Sequence, residues 1–144
     1  MQLMRFWDAS AVVPLLVAEP LRDRAIALLK EDEEMLAWWG TPVEIASALS
    51  RRERERSLTP DEVAVALSLV KDLSDGWHEI VPSPAVRLTA QRMLRMHPLR
   101  AADSLQLAAA LIAADHAPAS LEFVCFDDRL ASAAAREGFP VIDR

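Results

Sequence analysis

The chain has 144 residues, 52% of them apolar and only three of them glycine, which is enough for one domain with a proper core and excludes a disordered or collagen-like chain. Sixteen basic residues against 22 acidic ones give a net charge of −6, which argues against a generic basic coat for nucleic acid. Cys125 is the only cysteine, so an intrachain disulfide is excluded, and no stretch approaches the roughly 20 apolar residues that span a bilayer.

Short apolar runs alternate with longer helical patterns. LMRFW, at 3–7, reads as a strand, and helical segments follow around 10–17 and 21–31. The first of these overlaps AVVPLLVA (11–18), which is interrupted by Pro14, preceded by Asp8 and without a basic leader beyond Arg5. No signal peptide is expected there, and the cytoplasm is the expected compartment. MLAWW (35–39) is a second strand, followed by helices at 41–56 and 60–73. WHEIV (77–81) is a third, followed by helices at 84–96 and 99–115. LEFVCF (121–126), a helix at 128–137 and FPVI (139–142) complete the pattern. No linker, low-complexity stretch or repeat divides it, so one domain spanning 1–144 is expected. Alternation of this kind implies an α/β fold, a parallel five-stranded sheet flanked by helices on both faces.

In an open parallel sheet the carboxyl ends of the strands share one edge, where ligands bind. Asp8 follows the first strand, Glu44 the second and its loop, and Asp127 the fourth. Asp103 lies in the first turn of the helix that runs back into the fourth strand. Each acid has a local alternative. In TPVEIASAL, Thr41, Pro42 and Glu44 match the N-cap, first residue and returning acid of a capping box. Asp8 and Asp127 can each cap the helix that follows, for about 1 kcal/mol. Asp103 can favour the positive end of its helix dipole, for about 0.3–1 kcal/mol.

Together the four point further. Two unit charges about 6 Å apart repel by about 2.8 kcal/mol at an effective dielectric of about 20. A hard divalent cation with oxygen ligands is the simplest way to hold such a cluster ionised. Mg²⁺ or Mn²⁺ suits the set better than zinc, because His78, His97 and His116 are widely separated and read as surface or satisfied residues. Phosphodiester hydrolysis is the chemistry such a centre performs. No GxxxxGK[ST] loop supports nucleoside triphosphate binding. A phosphoacceptor site would need a lysine at this edge, and Lys30 and Lys71, the only lysines, are expected to be remote. Ser10 and Ser104, beside Asp8 and Asp103, are expected to orient ligands rather than attack.

DASAVVPLL at Asp8, TPVEIASALSRRERE around Glu44, LRAADSLQLAAAL around Asp103 and FVCFDDRLASAAAREGFPVI around Asp127 together resemble the PIN-domain family, and more closely the VapC-type toxins of bacterial toxin–antitoxin pairs. The resemblance covers essentially the whole chain and is weakest between 58 and 83. It implies a PIN-like three-layer α/β/α domain and a Mg²⁺- or Mn²⁺-dependent endoribonuclease. Asp8, Asp103 and Asp127 would be metal ligands, and Glu44 would hold a metal directly or through water. A water activated at the metal would attack, with a nearby carboxylate taking its proton. Ser10 matches the small hydroxyl residue of the first motif. Many relatives carry Thr or Ser two residues before the fourth acid, where this chain has Cys125. That weakens a supporting hydrogen bond and leaves open whether Asp127 or Asp128 completes the site.

RRERER (51–56) reads first as a solvated helix face, with Arg51 and Arg52 as RNA-phosphate contacts if it borders the acid edge. Arg100, one turn before Asp103, is a further candidate for phosphate. Trp38 and Trp39 fall in a strand, one facing the core and the other expected to be buried rather than a base-stacking platform. VAVALSLV (63–70) and the alanine-rich 101–114 carry more apolar surface than a small monomer needs, which suggests a homodimer. The resemblance also implies a VapB-type antitoxin covering the active-site edge. The rival reading is the same fold as a non-catalytic module that binds metal, RNA or protein.

Overall fold

In a computed structural model that describes residues 4–32 and 34–144, five short parallel strands form one sheet in the order β3-β2-β1-β4-β5. The strands are β1 (Arg5–Trp7), β2 (Leu36–Trp38), β3 (His78–Ile80), β4 (Glu122–Val124) and β5 (Val141–Ile142). Seven α-helices join them among the described residues: α1 (Ala9–Leu16), α2 (Arg22–Glu31), α3 (Thr41–Arg54), α4 (Pro60–Gly76), α5 (Pro84–Met96), α6 (Ala101–Ala113) and α7 (Asp128–Glu137). The strand expected at 3–7 begins at Arg5, and its expected first residue, Leu3, lies outside the described residues.

Helix starts follow two of these short strands closely. Asp8 leaves β1 and caps α1, and Asp127 ends the run after β4 by capping α7. Local signals set the other starts. Thr59 and Glu62 exchange side-chain and backbone hydrogen bonds around Pro60 at the head of α4. Ser83 accepts from the Val86 N–H ahead of α5. Gly138, at φ +105°, ends α7 in the left-handed conformation that glycine adopts without strain.

Alternation along the strands separates two cores. Trp7, Ala37 and Val124 point to one face and pack with α1–α4. Phe6, Trp38, Phe123 and Cys125 point to the other and pack with α5–α7. The molecule is therefore three layers, helices on both faces of a buried parallel sheet.

Two packing expectations fail. Trp39 is 55% exposed rather than buried, because β2 ends at Trp38 and the chain turns there into α3. The alanine-rich helix α6 offers no spare apolar face, since Leu107, Ala108, Ala109, Ala110 and Leu111 are all buried within the chain. α4 differs: Val65, Leu67 and Leu69 of VAVALSLV are exposed. No helix among the described residues is long and apolar enough to cross a membrane.

Candidate active site

From the central strand β1 the chain builds outward first through β2 and β3, then through β4 and β5 on the other side. The carboxyl ends of β1 and β4 are thus where such a sheet opens a crevice. A cleft of about 850 Å³ lies there.

Asp8, Glu44, Asp103 and Asp127 all line it, each from the start of a different helix. Asp8 Oδ2 accepts from the Ser10 backbone N–H at 3.1 Å and from its hydroxyl at 2.5 Å. Ser10 Oγ accepts in turn from the Phe126 N–H at 2.9 Å, tying the head of α1 to the chain leaving β4. Asp127 accepts from the Leu130 N–H at 3.1 Å, and Asp103 from the Arg100 N–H at 3.4 Å. Helix capping and a place in the cleft coexist for Asp8 and Asp127.

For Glu44 the capping box expected from sequence does not form. α3 begins at Thr41 with Gly40 as its N-cap, and no side chain caps it. Gly40 is required by close approach, because a Cβ there would meet Trp38 Nε1 at 2.5 Å. The Thr41 hydroxyl is buried and accepts from Gln106 Nε2 at 2.9 Å. The same amide donates to Glu44 Oε2 at 2.7 Å.

Burial and mutual repulsion make Asp8, Glu44 and Asp103 reluctant to ionise. Burial pushes the Asp8 carboxyl up to about 6 against the pull of its Ser10 hydrogen bonds, with Asp103 and Asp127 adding repulsion. Glu44 is pushed up to about 8, first by burial and then by the charge of Asp8, while the Gln106 bond opposes the rise. Asp103 is also raised by burial, partly offset by the Arg100 N–H. Cys125 is fully buried, and burial raises its thiol well above the usual range. It stays protonated and lies 3.7 Å from Asp8 Oδ2, with the carbonyl of Asp127 at 3.4 Å. The position of the expected hydroxyl is thus filled by a weak donor whose contacts are with Asp8 and the Asp127 backbone.

Asp128 also lines the cleft, but its exposed carboxylate pairs with Arg144 at 2.7 Å. Arg51, Arg52 and Arg100 line the rim. Arg52 is engaged with Glu19 at 2.8 Å. The first two residues of RRERER therefore border the acid edge rather than form a remote solvated face. Lys30, Lys71 and the three histidines do not line the cleft. His97 pairs with Glu137 at 2.6 Å, and His78 pairs with Glu34.

The donor set suits a hard divalent cation, being all carboxylate oxygen with hydroxyl support. As placed, no three His, Cys, Asp or Glu side chains among the described residues close around a common point. Each of the four carboxylates turns one oxygen to a local donor and keeps the other uncommitted.

Sequence reasoning missed Gln106, Glu19 and Arg129, all in or beside the cleft. Gln106 left a trace, as the polar residue inside the apolar run LQLAAAL. Glu19 and Arg129 left none.

The strand order, the helices on both faces and the acid-lined crevice at the β1–β4 edge define a PIN-like α/β/α fold. Solved structures that share it include PAE2754 from Pyrobaculum aerophilum (TM-score 0.66, 20% identity, 99% of this chain and 90% of that one), FitAcB from Neisseria gonorrhoeae (0.64, 16%, 97% and 96%) and a toxin–antitoxin complex from Klebsiella pneumoniae (0.60, 17%, 96% and 95%). No protein-family model matches the chain. Two Mycobacterium tuberculosis proteins, Ribonuclease VapC45 and Ribonuclease VapC49, are each 34% identical over 113 residues, covering 76% of this chain and 76% of each relative. The chain belongs to the VapC ribonuclease family.

Proposed function

We propose that this protein is the toxin of a VapBC-type toxin–antitoxin pair, an endoribonuclease that hydrolyses RNA phosphodiester bonds with Mg²⁺ or Mn²⁺. The observation that carries the reading is the convergence of four carboxylates from four helix starts on one arginine-rimmed cleft. The relatives named Ribonuclease VapC supply the substrate class.

Asp8, Asp103 and Asp127 would hold the cation, with Glu44 holding it directly or through water. The bound ion would orient water and stabilise charge on the phosphoryl oxygens. The protein's own groups do the rest. The Ser10 donors and the Cys125 thiol all converge on Asp8 Oδ2, which leaves Oδ1 for the cleft. Glu44 Oε2 is held by Gln106, which leaves Oε1 to take the proton released by the attacking water. Arg51, Arg52 and Arg100 bind the flanking phosphates and fix the register of the strand.

The toxin–antitoxin complex among the structural neighbours supports an antitoxin as a partner, and on this reading a VapB-type antitoxin covers the edge. The exposed Val65, Leu67 and Leu69 of α4 support a homodimer. The protein acts in the cytoplasm on this reading, as one domain spanning the chain.

The test is cleavage of an end-labelled RNA pool by protein purified free of antitoxin. Cleavage is expected with Mg²⁺ or Mn²⁺ and absent with EDTA or in Asp103→Asn. Cleavage that survives in the variant contradicts the site. Metal binding by the wild type without any cleavage favours a non-catalytic module.

A further inference from the structure

Gln106 is 0% exposed, on a helix whose neighbouring residues are leucine and alanine. A polar amide in such a place is costly unless its groups are paired. Its two N–H groups are paired, with Thr41 Oγ1 and Glu44 Oε2, while its Oε1 is buried and has no partner. A leucine would fill the position without that unpaired oxygen. What a leucine lacks is a donor for Glu44, and among the described residues no other group donates to that carboxylate.

The placement matters because α3 and α6 lie in different helical layers. Gln106 reaches from α6 to the head of α3. It also stands three residues after Asp103, on the same side of α6. One helix thereby presents Asp103 to the cleft itself and fixes Glu44 through its amide. A Glu44 carboxylate ionised at a bound cation would offer only acceptors, and the NH₂ end of the amide is the end that faces it.

We infer that Gln106 is a positioning residue: its buried amide bridges the two helical layers and holds the Glu44 carboxylate in register with Asp103 for the divalent cation and the water of the cleft. This rests on the proposed metal-dependent ribonuclease. Thr41 and Glu44 are the two ends of the bridge, and only the Glu44 end reaches the site.

The test is Gln106→Met, which keeps the length of the side chain and removes both donors. Mn²⁺ affinity is read by calorimetry, cleavage by single- and multiple-turnover kinetics, and folding by thermal melts. Loss of a hydrogen bond to a charged group corresponds to about a tenfold change. Mn²⁺ affinity is therefore expected to fall about tenfold and kcat by at least as much, with KM nearly unchanged. In a Glu44→Gln background the same change is expected to leave Mn²⁺ affinity unaltered. Gln106→His, which retains one N–H donor, is expected to recover part of the loss.

Full Mn²⁺ affinity in Gln106→Met, or the same fold loss in both backgrounds, overturns the assignment while leaving the ribonuclease reading intact. A wild type that neither binds Mn²⁺ nor cuts RNA overturns both. A measurement on the wild-type protein covers the case of a variant that does not fold. The side-chain amide resonances of Gln106 are expected to shift when Mg²⁺ is added and when Glu44 is changed to Gln. Resonances that move in neither case refute the bridge.

Discussion

Replacing Glu44 with Gln should make the metal-free protein more stable at alkaline pH. In the folded chain Glu44 titrates at about 8, against an ordinary value of 4.5, because burial and then the charge of Asp8 disfavour its ionised form. A group whose pKa is raised by folding stabilises the fold fully below its unfolded value, and that contribution is lost as the pH rises through the folded value. Between pH 4.5 and 8 the wild type therefore loses stability progressively. At about 1.4 kcal/mol per pH unit the loss is at most about 5 kcal/mol. The partial exposure of Glu44 and its coupling to Asp8 discount this to roughly 2 kcal/mol. Glutamine keeps an oxygen for the Gln106 donor and never ionises, so Glu44→Gln avoids the loss. For a chain of this size roughly 2 kcal/mol corresponds to a rise in Tm of about 4–8 °C. The assay is thermal denaturation with EDTA at pH 5 and pH 9. The variant should melt close to the wild type at pH 5 and clearly above it at pH 9. Equal melting at pH 9, or a variant less stable there, would refute the claim that Glu44 is held in a repulsive, desolvated place.

Three further changes probe the cleft. Ser10→Ala removes a hydroxyl that donates to Asp8 and accepts from Phe126, so cleavage should fall about tenfold and stability by about 1–2 kcal/mol, read by kinetics and denaturant unfolding. Asp127→Asn should abolish cleavage while Asp128→Asn, whose carboxylate is exposed on Arg144, should leave it near wild type; the reverse pattern would make Asp128 the fourth acid. In RNA-binding titrations against salt, Arg51→Ala and Arg100→Ala should each reduce the slope by about 0.7, and Arg52→Ala by less because Glu19 already engages it.

The helix starts were legible because their signals are local. Thr59-Pro60 with Glu62, Ser83-Pro84 and the Asp127 to Gly138 span each carry their own caps. The candidate acids were legible at one remove: strand–helix alternation sends strand ends and returning helix starts to one edge whatever the loops contain. What escaped depends on contacts between distant segments. Gln106 joins residues 65 and 62 positions away, and nothing beside it in sequence points to Thr41 or Glu44. The capping box at Glu44 was plausible locally and lost because Thr41 is turned toward that amide. The exposure of Trp39 turns on one residue of strand length. The apolar face of α6 looked like a partner surface because sequence cannot tell a face covered by α5 from one covered by another chain.

The most direct test of the central claim, that the four carboxylates of the cleft form one divalent-cation site, is a Mn²⁺ titration followed by electron paramagnetic resonance. Wild type, Asp8→Asn, Asp103→Asn and Asp128→Asn would be compared, with Mg²⁺ as competitor. Saturable binding that Mg²⁺ displaces, that Asp8→Asn and Asp103→Asn abolish and that Asp128→Asn preserves is the predicted result. Absence of saturable binding in the wild type, or binding undiminished in Asp8→Asn and Asp103→Asn, would contradict it.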